Sequence, residues 1–255
     1  MRIIAIDWSG AKHGAGKKIW AAEFRDDKPV EELITGKNGE AIKQYLIGAA
    51  KDGETIVGLD FAFSFPAWFV WEHAPSARDL WSVVADRGET WLGECTEPFW
   101  GRRGIQCRVS PEKRNRWTEK NLKIGNIQPK SVFQINGGGS VGTGSIRGMK
   151  MLHELGSDFR IWPFDGANLP LIIEIWPRAL TGEVKKCDEA ERKKYLSQKY
   201  KWMPESWRAA AEKCEDAFDA VVSACVMQKH KAQILSLAPA TDQTIKLEGQ
   251  IWRPQ

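Results

Sequence analysis

The stretch Arg2-Ile3-Ile4-Ala5-Ile6-Asp7-Trp8-Ser9-Gly10 decides how the rest of the chain is read. Its apolar run suits a strand buried on both faces, as in a sheet covered by helices on each side. The run ends in a carboxylate, a Ser-Gly turn follows, and the nearest cation, Lys12, lies beyond that turn. A carboxylate at the end of a central strand is costly unless a positive group meets it. Two readings of Asp7 stay open at this point: a metal ligand, or a side chain that caps its own turn.

The same signature returns along the chain. Thr55-Ile-Val-Gly-Leu-Asp60-Phe61 is a second apolar strand that reaches a carboxylate, closed by Phe63-Ser-Phe-Pro66. Leu169 to Pro177 is a third, and it carries Glu174; a salt bridge to an arginine such as Arg178 is the alternative role for that side chain. A helix over about Lys213 to Lys229 holds Asp216 and Asp219, three apart and so on one face. Its small residues Ala217, Ala220, Ala224 and Cys225 suit close packing on a sheet.

Between these landmarks, Ile19–Phe24 and Val30–Thr35 read as strands that complete an antiparallel meander with the first. Asn38 is a plausible N-cap for a helix over Gly39–Lys51. A helical, aromatic stretch runs to about Arg87. A helix is expected over Ser145–Leu155, a short strand over Phe159–Trp162, charged helices over Glu183–Gln198 and Glu205–Lys213, and weak strand character from Ser236 onward. The expected fold class is α/β: a mixed five-stranded sheet flanked by helices, with the first and fourth strands adjacent.

Bulk properties exclude several classes. At 255 residues the chain can bury a large core, and 42% hydrophobic with 27% charged residues is ordinary for a globular protein. The five cysteines are scattered without a C-x-x-C pair, which argues against a structural zinc or a disulfide framework. No apolar run reaches the roughly 18 residues of a membrane helix, and the first run leads straight to Asp7 rather than forming a signal peptide. A cytoplasmic location with reduced thiols is the expectation. The four histidines lack ligand spacing, and neither Ser9 nor Ser64 sits in a nucleophile elbow.

Residues 88–144 read as an irregular basic insertion. Nine Lys or Arg stand against five Glu, a local excess equal to the net charge of +4 of the whole chain. Trp91, Phe99, Trp100, Trp117 and Phe133 are interleaved with them. Such a surface suits phosphates and unpaired bases; an ordinary solvated face is the alternative. Arg102, Arg103, Arg114 and Arg116, together with Lys12 and Arg147 outside the insertion, are the candidate substrate contacts. The insertion ends in Asn136-Gly-Gly-Gly-Ser-Val-Gly-Thr-Gly-Ser145, which leads into a helix N-terminus suited to anions but lacks the Lys-Ser/Thr of a P-loop.

Carboxylates gathered within a few ångströms cannot all ionise unpaired. Hard divalent cations resolve this, and Mg²⁺ or Mn²⁺ with oxygen ligands can activate water against a phosphodiester. The motifs Ile6-Asp-Trp-Ser-Gly10, Gly58-Leu-Asp-Phe-Ala-Phe-Ser-Phe-Pro66, Glu174-Ile-Trp-Pro177, the stretch Val141 to Leu152 and Glu215 to Ala224 resemble a domain-of-unknown-function family of predicted nucleases. That family is similar to the Holliday-junction-resolvase-type branch of the ribonuclease H-like superfamily. The resemblance implies one ribonuclease H-like domain over residues 1–255; the basic insertion read over residues 88–144 is not typical of its minimal fold. The resemblance implies metal-binding roles for Asp7, Asp60, Asp216 and Asp219. Glu174 matches an E-x-x-P pattern to which the resemblance assigns no role; on the nuclease reading it helps position metal or water. The resemblance also implies a nucleic-acid partner, DNA or RNA. Two rivals stand beside it. One is a sugar-kinase/actin-type phosphotransferase with nucleotide phosphate on the Asp7–Lys12 turn, which needs two copies of the core. The other is a catalytically silent nucleic-acid-binding module.

Overall fold

A computed structural model describes all 255 residues, Met1–Gln255. Strand β1 (Arg2–Asp7) pairs antiparallel with β2 (Trp20–Arg25), and Asp26 and Asp27 turn the chain with φ of 47° and 67°. Two successive left-handed residues give the hairpin turn whose twist matches its strands. The third strand is only Lys28–Pro29 (β3), not Val30–Thr35. Pro29 has no N–H for a ladder, and beyond it only a Val30 N–H to Glu23 carbonyl bond at 2.8 Å and the bridge between Ala21 and Ile34 persist.

Helix α1 (Gly39–Lys51) is capped by the Asn38 side chain, which accepts from the Ala41 N–H. It carries the chain over to β4 (Thr55–Leu59), parallel to β1. Helices α2 (Ala67–His73), α3 (Ala77–Glu94), α4 (Pro111–Arg114), α5 (Trp117–Asn121) and α6 (Gly142–Leu155) follow. Then come β5 (Arg160–Trp162) and β6 (Leu171–Ile175), and helices α7 (Pro177–Thr181), α8 (Glu189–Lys199), α9 (Glu205–Lys213), α10 (Glu215–Lys229), α11 (Lys231–Leu235) and α12 (Gln243–Glu248). The chain closes with β7 (Ile251–Trp252).

The sheet is mixed and has seven strands rather than five, in the order β3-β2-β1-β4-β6-β5, with β7 also on β6. The two additional strands are short: β5 runs beside Leu171–Ile173, and β7 continues beside Glu174 and Ile175.

The pleat sorts the side chains into two cores. Ile4, Ile6, Val57, Leu59 and Ile172 meet residues of α1, α3 and α6, including Leu46, Trp81 and Met149. Ile3, Ala5, Ile56, Ile173 and Ile175 meet α8, α9 and α10 through Leu196, Trp207, Phe218 and Val222. The 88–144 stretch is not a detached insertion. Residues 88–94 complete α3, and Phe99, Val132, Phe133 and Ile135 belong to the first core. Phe133 stacks on Phe65 at 5.4 Å and meets Phe69 edge-on at 5.2 Å. The five cysteines are free thiols, and no helix is long and apolar enough to cross a membrane.

Helix α10 lies close on β1 and β2, and one glycine of the neighbouring β4 permits this. A Cβ on Gly58 would meet Met227 Sδ at 2.6 Å and Ile175 Cγ2 at 3.0 Å. Gly58→Val is therefore expected to lower unfolding free energy by about 1–3 kcal/mol in urea denaturation, and Gly58→Ala by less, because the end of Met227 can turn aside. Equal stability of Gly58→Val and wild type would contradict this packing.

Candidate active site

The pairing register brings the first two carboxylates together. Ile6 lies opposite Leu59, so Asp7 and Asp60 leave the two parallel strands side by side, and the Asp60 N–H donates to the Ile6 carbonyl at 3.2 Å. Asp7 shares the pleat phase of Ala5, and Asp60 that of Ile56 and Gly58, so both project toward α10. The two carboxyl groups line the same cleft, and each charge acts on the other.

Helix α10 supplies the third group. Asp219 is 3% exposed. Its Oδ2 accepts from Lys186 Nζ, and its Oδ1 is buried without a partner. Asp216, one turn earlier, is half-buried at the rim beside Glu215. Lys186 comes from the connection between α7 and α8, and its Nζ also lies 3.5 Å from Glu215.

Burial raises every one of these carboxyls, and like charges add to it. Asp7 is held well above the usual carboxylate range by burial first, then by Asp60, Asp219 and Asp216. Asp60 is pushed up to about 7 by burial and by Asp219. Asp219 is pushed up to about 6 by burial, against the pull of Lys186. Asp216 is raised by burial and by Glu215.

The cluster opens into a cleft of about 780 Å³. Its far wall is the start of α6, Ser140 to Gly144, with Arg102 and Arg147 nearby and Lys18 and Trp176 at other points of the lining. The Asp7 turn is fixed to that wall. Trp8 Nε1 donates to the Gly144 carbonyl at 2.9 Å, and Arg147 donates to the Gly10 carbonyl while pairing with Glu89 at 2.7 Å. Gly10 is required here, since a Cβ would stand 2.5 Å from Gly144 Cα.

Glu174 does not join the cluster. It shares the pleat phase of Ile172 and points to the opposite face of the sheet. Arg116 grips it there, with Nη1 to Oε2 at 2.9 Å and Nη2 to Oε1 at 2.5 Å, and the Phe63 N–H donates to Oε2 at 3.0 Å. Its partner is thus Arg116 rather than Arg178, which instead donates to the carbonyls of Gly182 and Val184. Arg116 also binds Glu119 at 2.8 Å and the Glu248 carbonyl at 3.0 Å, so it has no face left for a substrate.

The other expected contacts divide. Arg102 lines the cleft but donates to the carbonyls of Leu92 and Gly93, ending α3. Arg114 donates to the Val109 carbonyl and lies over the Trp100 ring. Arg103 and Lys12 are exposed; Lys12 lines an adjacent cleft of about 630 Å³ on the other side of the Asp7 turn. Lys186 and Lys18 carry no local sequence signal, and Trp176 lies in the Glu174–Pro177 motif without a signal of its own; only the tertiary structure brings the three to the cleft.

No group of three or more His, Cys, Asp or Glu side chains is arranged so that it could hold a metal ion as it stands. Lys186 already occupies one oxygen of Asp219, and Asp216 stays at the rim. The Asp7–Asp60 pair and the free Asp219 oxygen nevertheless make an all-oxygen donor set that carries more negative charge than Lys186 offsets. Mg²⁺ is commonly held by one or two carboxylates with water and phosphate completing its shell, so the donors fit in chemistry though not as a closed cage. No protein-family model matches the chain, and no curated protein or solved structure is significantly similar to it.

Two outcomes follow from this electrostatics. Asp60 and Asp219 titrate higher in the folded than in the unfolded chain, so the folded state binds more protons between about pH 4 and pH 7, and stability falls as pH rises through that window. With divalent ions chelated, unfolding free energy at pH 5 should exceed that at pH 8 by on the order of 2 kcal/mol, and Asp60→Asn should flatten the difference. A profile unchanged by that substitution would refute it. Glu174→Gln, by contrast, should cost about 3 kcal/mol by breaking a buried ion pair; a neutral effect in chemical denaturation would return Glu174 to the list of functional groups.

Proposed function

We propose that this chain is a divalent-metal-dependent nuclease with a ribonuclease H-like core, hydrolysing phosphodiester bonds of DNA or RNA at Asp7, Asp60 and Asp219. One observation carries the reading: three buried carboxylates face one lysine at the floor of an open cleft. Such an excess of negative charge weakens the fold, and a divalent cation is the partner that removes the penalty. The adjacency of the first and fourth strands, and the D-x-x-D helix packed against them, support the fold side of the proposal.

Asp7 and Asp60 would hold the ion, and Asp219 offers its free oxygen to the same space. Mg²⁺ or Mn²⁺ bound there supplies a Lewis acid for the phosphoryl oxygens and an acidified water as nucleophile. The protein's own groups orient the substrate. The first-turn N–H groups of Thr143 and Gly144 lack intrahelical partners and suit a phosphate oxygen across the cleft. Lys18 adds an exposed positive charge to the lining. The Trp8–Gly144 and Arg147–Gly10 contacts keep the two walls at a fixed separation.

The phosphotransferase alternative requires a second copy of the core, and this chain builds a single sheet. Asp7→Asn should reduce Mn²⁺-dependent cleavage of single-stranded and duplex DNA and RNA by about two orders of magnitude or more. Its thermal stability should be retained or raised, because one like charge is gone. A fully active Asp7→Asn protein would sink the proposal, and binding without turnover in wild type would favour the silent module.

A further inference from the structure

We propose that Lys186 is a built-in cation of the carboxylate site, standing where a second divalent ion would otherwise bind, so that the site takes one Mg²⁺ or Mn²⁺ ion per chain. The inference rests on the nuclease reading of this same site and specifies how the site is charged.

Lys186 is held in place by the fold. Its N–H donates to the Val184 carbonyl at 2.9 Å, and its carbonyl accepts from Arg192 Nη1 at 2.6 Å. Arg192 is itself buried, and its other donors fix the end of α9 through the carbonyls of Ala211 at 3.1 Å and Glu212 at 2.6 Å. A buried guanidinium thus sets the backbone from which the Lys186 side chain reaches to the floor of the cleft. That side chain is 19% exposed, and its ammonium ends on Asp219 Oδ2 with Glu215 at 3.5 Å.

The geometry limits the number of ions. The Lys186 ammonium rests on Asp219 Oδ2 and lies 3.5 Å from Glu215, so it fills the space between α10 and the strand-end carboxylates that a second ion would need. A second divalent ion there would stand against that ammonium in a partly desolvated space. The distribution of partners points the same way. Asp219 has the ammonium directly on one oxygen, while Asp7 and Asp60 feel it without a direct ion pair. Two carboxylates with water are enough for one hard ion.

The test is a calorimetric Mn²⁺ titration of the full chain, with Asp60→Asn as the control that should lose the binding. Wild type should bind one ion. Lys186→Met should bind a second ion or hold the first about tenfold more tightly, because a positive charge beside the site is gone. Lys186→Arg should behave as wild type. Two ions in wild type, or a folded Lys186→Met protein with unchanged stoichiometry and affinity, would overturn the role of Lys186 while leaving the carboxylate site intact. No ion in wild type would overturn the nuclease reading as well. Should Lys186→Met fail to fold by circular dichroism, Lys186→Gln replaces it with the same expected outcome.

Discussion

The parallel pairing of β1 with β4 is the constraint on which the site depends. It sets Ile6 against Leu59 and so delivers Asp7 and Asp60 to one point on one face. A slip of one residue would turn one carboxylate toward the opposite core and expose the alternation of both strands to the wrong partner. Both strands are apolar on each face, so the side-chain pattern alone does not set the register; the close packing of Met227 over Gly58 does distinguish the two faces. Burial and repulsion within the carboxylate cluster hold the Asp7 and Asp60 carboxyls above the usual carboxylate range. A fold selected for stability alone has no use for such a pair. Local rules tend to be broken at functional sites, where the surrounding structure supports the strain.

The molecule contains a second buried charge cluster, and the contrast is instructive. Around Arg116, both oxygens of Glu174 are engaged, Glu119 accepts from the side chain and the backbone of Arg116, and the Glu248 carboxylate accepts the N–H groups of Ala67 and Trp117. That network ties α5, α12 and α2 to the back of β6 and gives every carboxylate oxygen a donor, although one guanidinium stands among three carboxylates there as well. At Asp7, Asp60 and Asp219 a single ammonium serves three carboxyls, and a buried oxygen stays free. Satisfied charge holds structure together; unsatisfied charge invites a ligand.

Much of this was legible in the sequence, for a physical reason. An apolar run that ends in Asp declares both a buried strand and a charge needing a partner, so Asp7 and Asp60 stood out. The small residues of α10 announced a helix pressed against a sheet, which placed Asp219. Glu174 carries the same local signature, and Leu171-Ile-Ile-Glu-Ile, apolar on both faces, contains no pleat phase of its own to separate a site residue from an ion-pair partner. Only its register with β4 shows that Glu174 faces away. Lys186 was invisible for a different reason. It sits beside Lys185 in a charged stretch, and its role comes from Arg192, which is distant from the carboxylates in the chain and in function. The basic stretch misled by its charge count, since charge says nothing of which guanidinium groups end helices or fill ion pairs. Its aromatics Trp91, Phe99 and Phe133 form core rather than a stacking surface.

The way the arginines are spent limits what kind of recognition the cleft supports. Arg102, Arg114, Arg116 and Arg147 all donate to the protein's own carbonyls or carboxylates. A guanidinium fork reads a phosphate or a base edge through paired donors in a fixed plane, and these forks are committed elsewhere. What remains near the cleft is Lys18, a compact charge on a flexible stem, and the backbone N–H groups at the start of α6. Both kinds of group attract a phosphate without reading the base attached to it. Under the nuclease reading, then, discrimination among substrates comes from the shape of the cleft and the fixed spacing between the Asp7 turn and α6, while the charge of the backbone supplies the affinity.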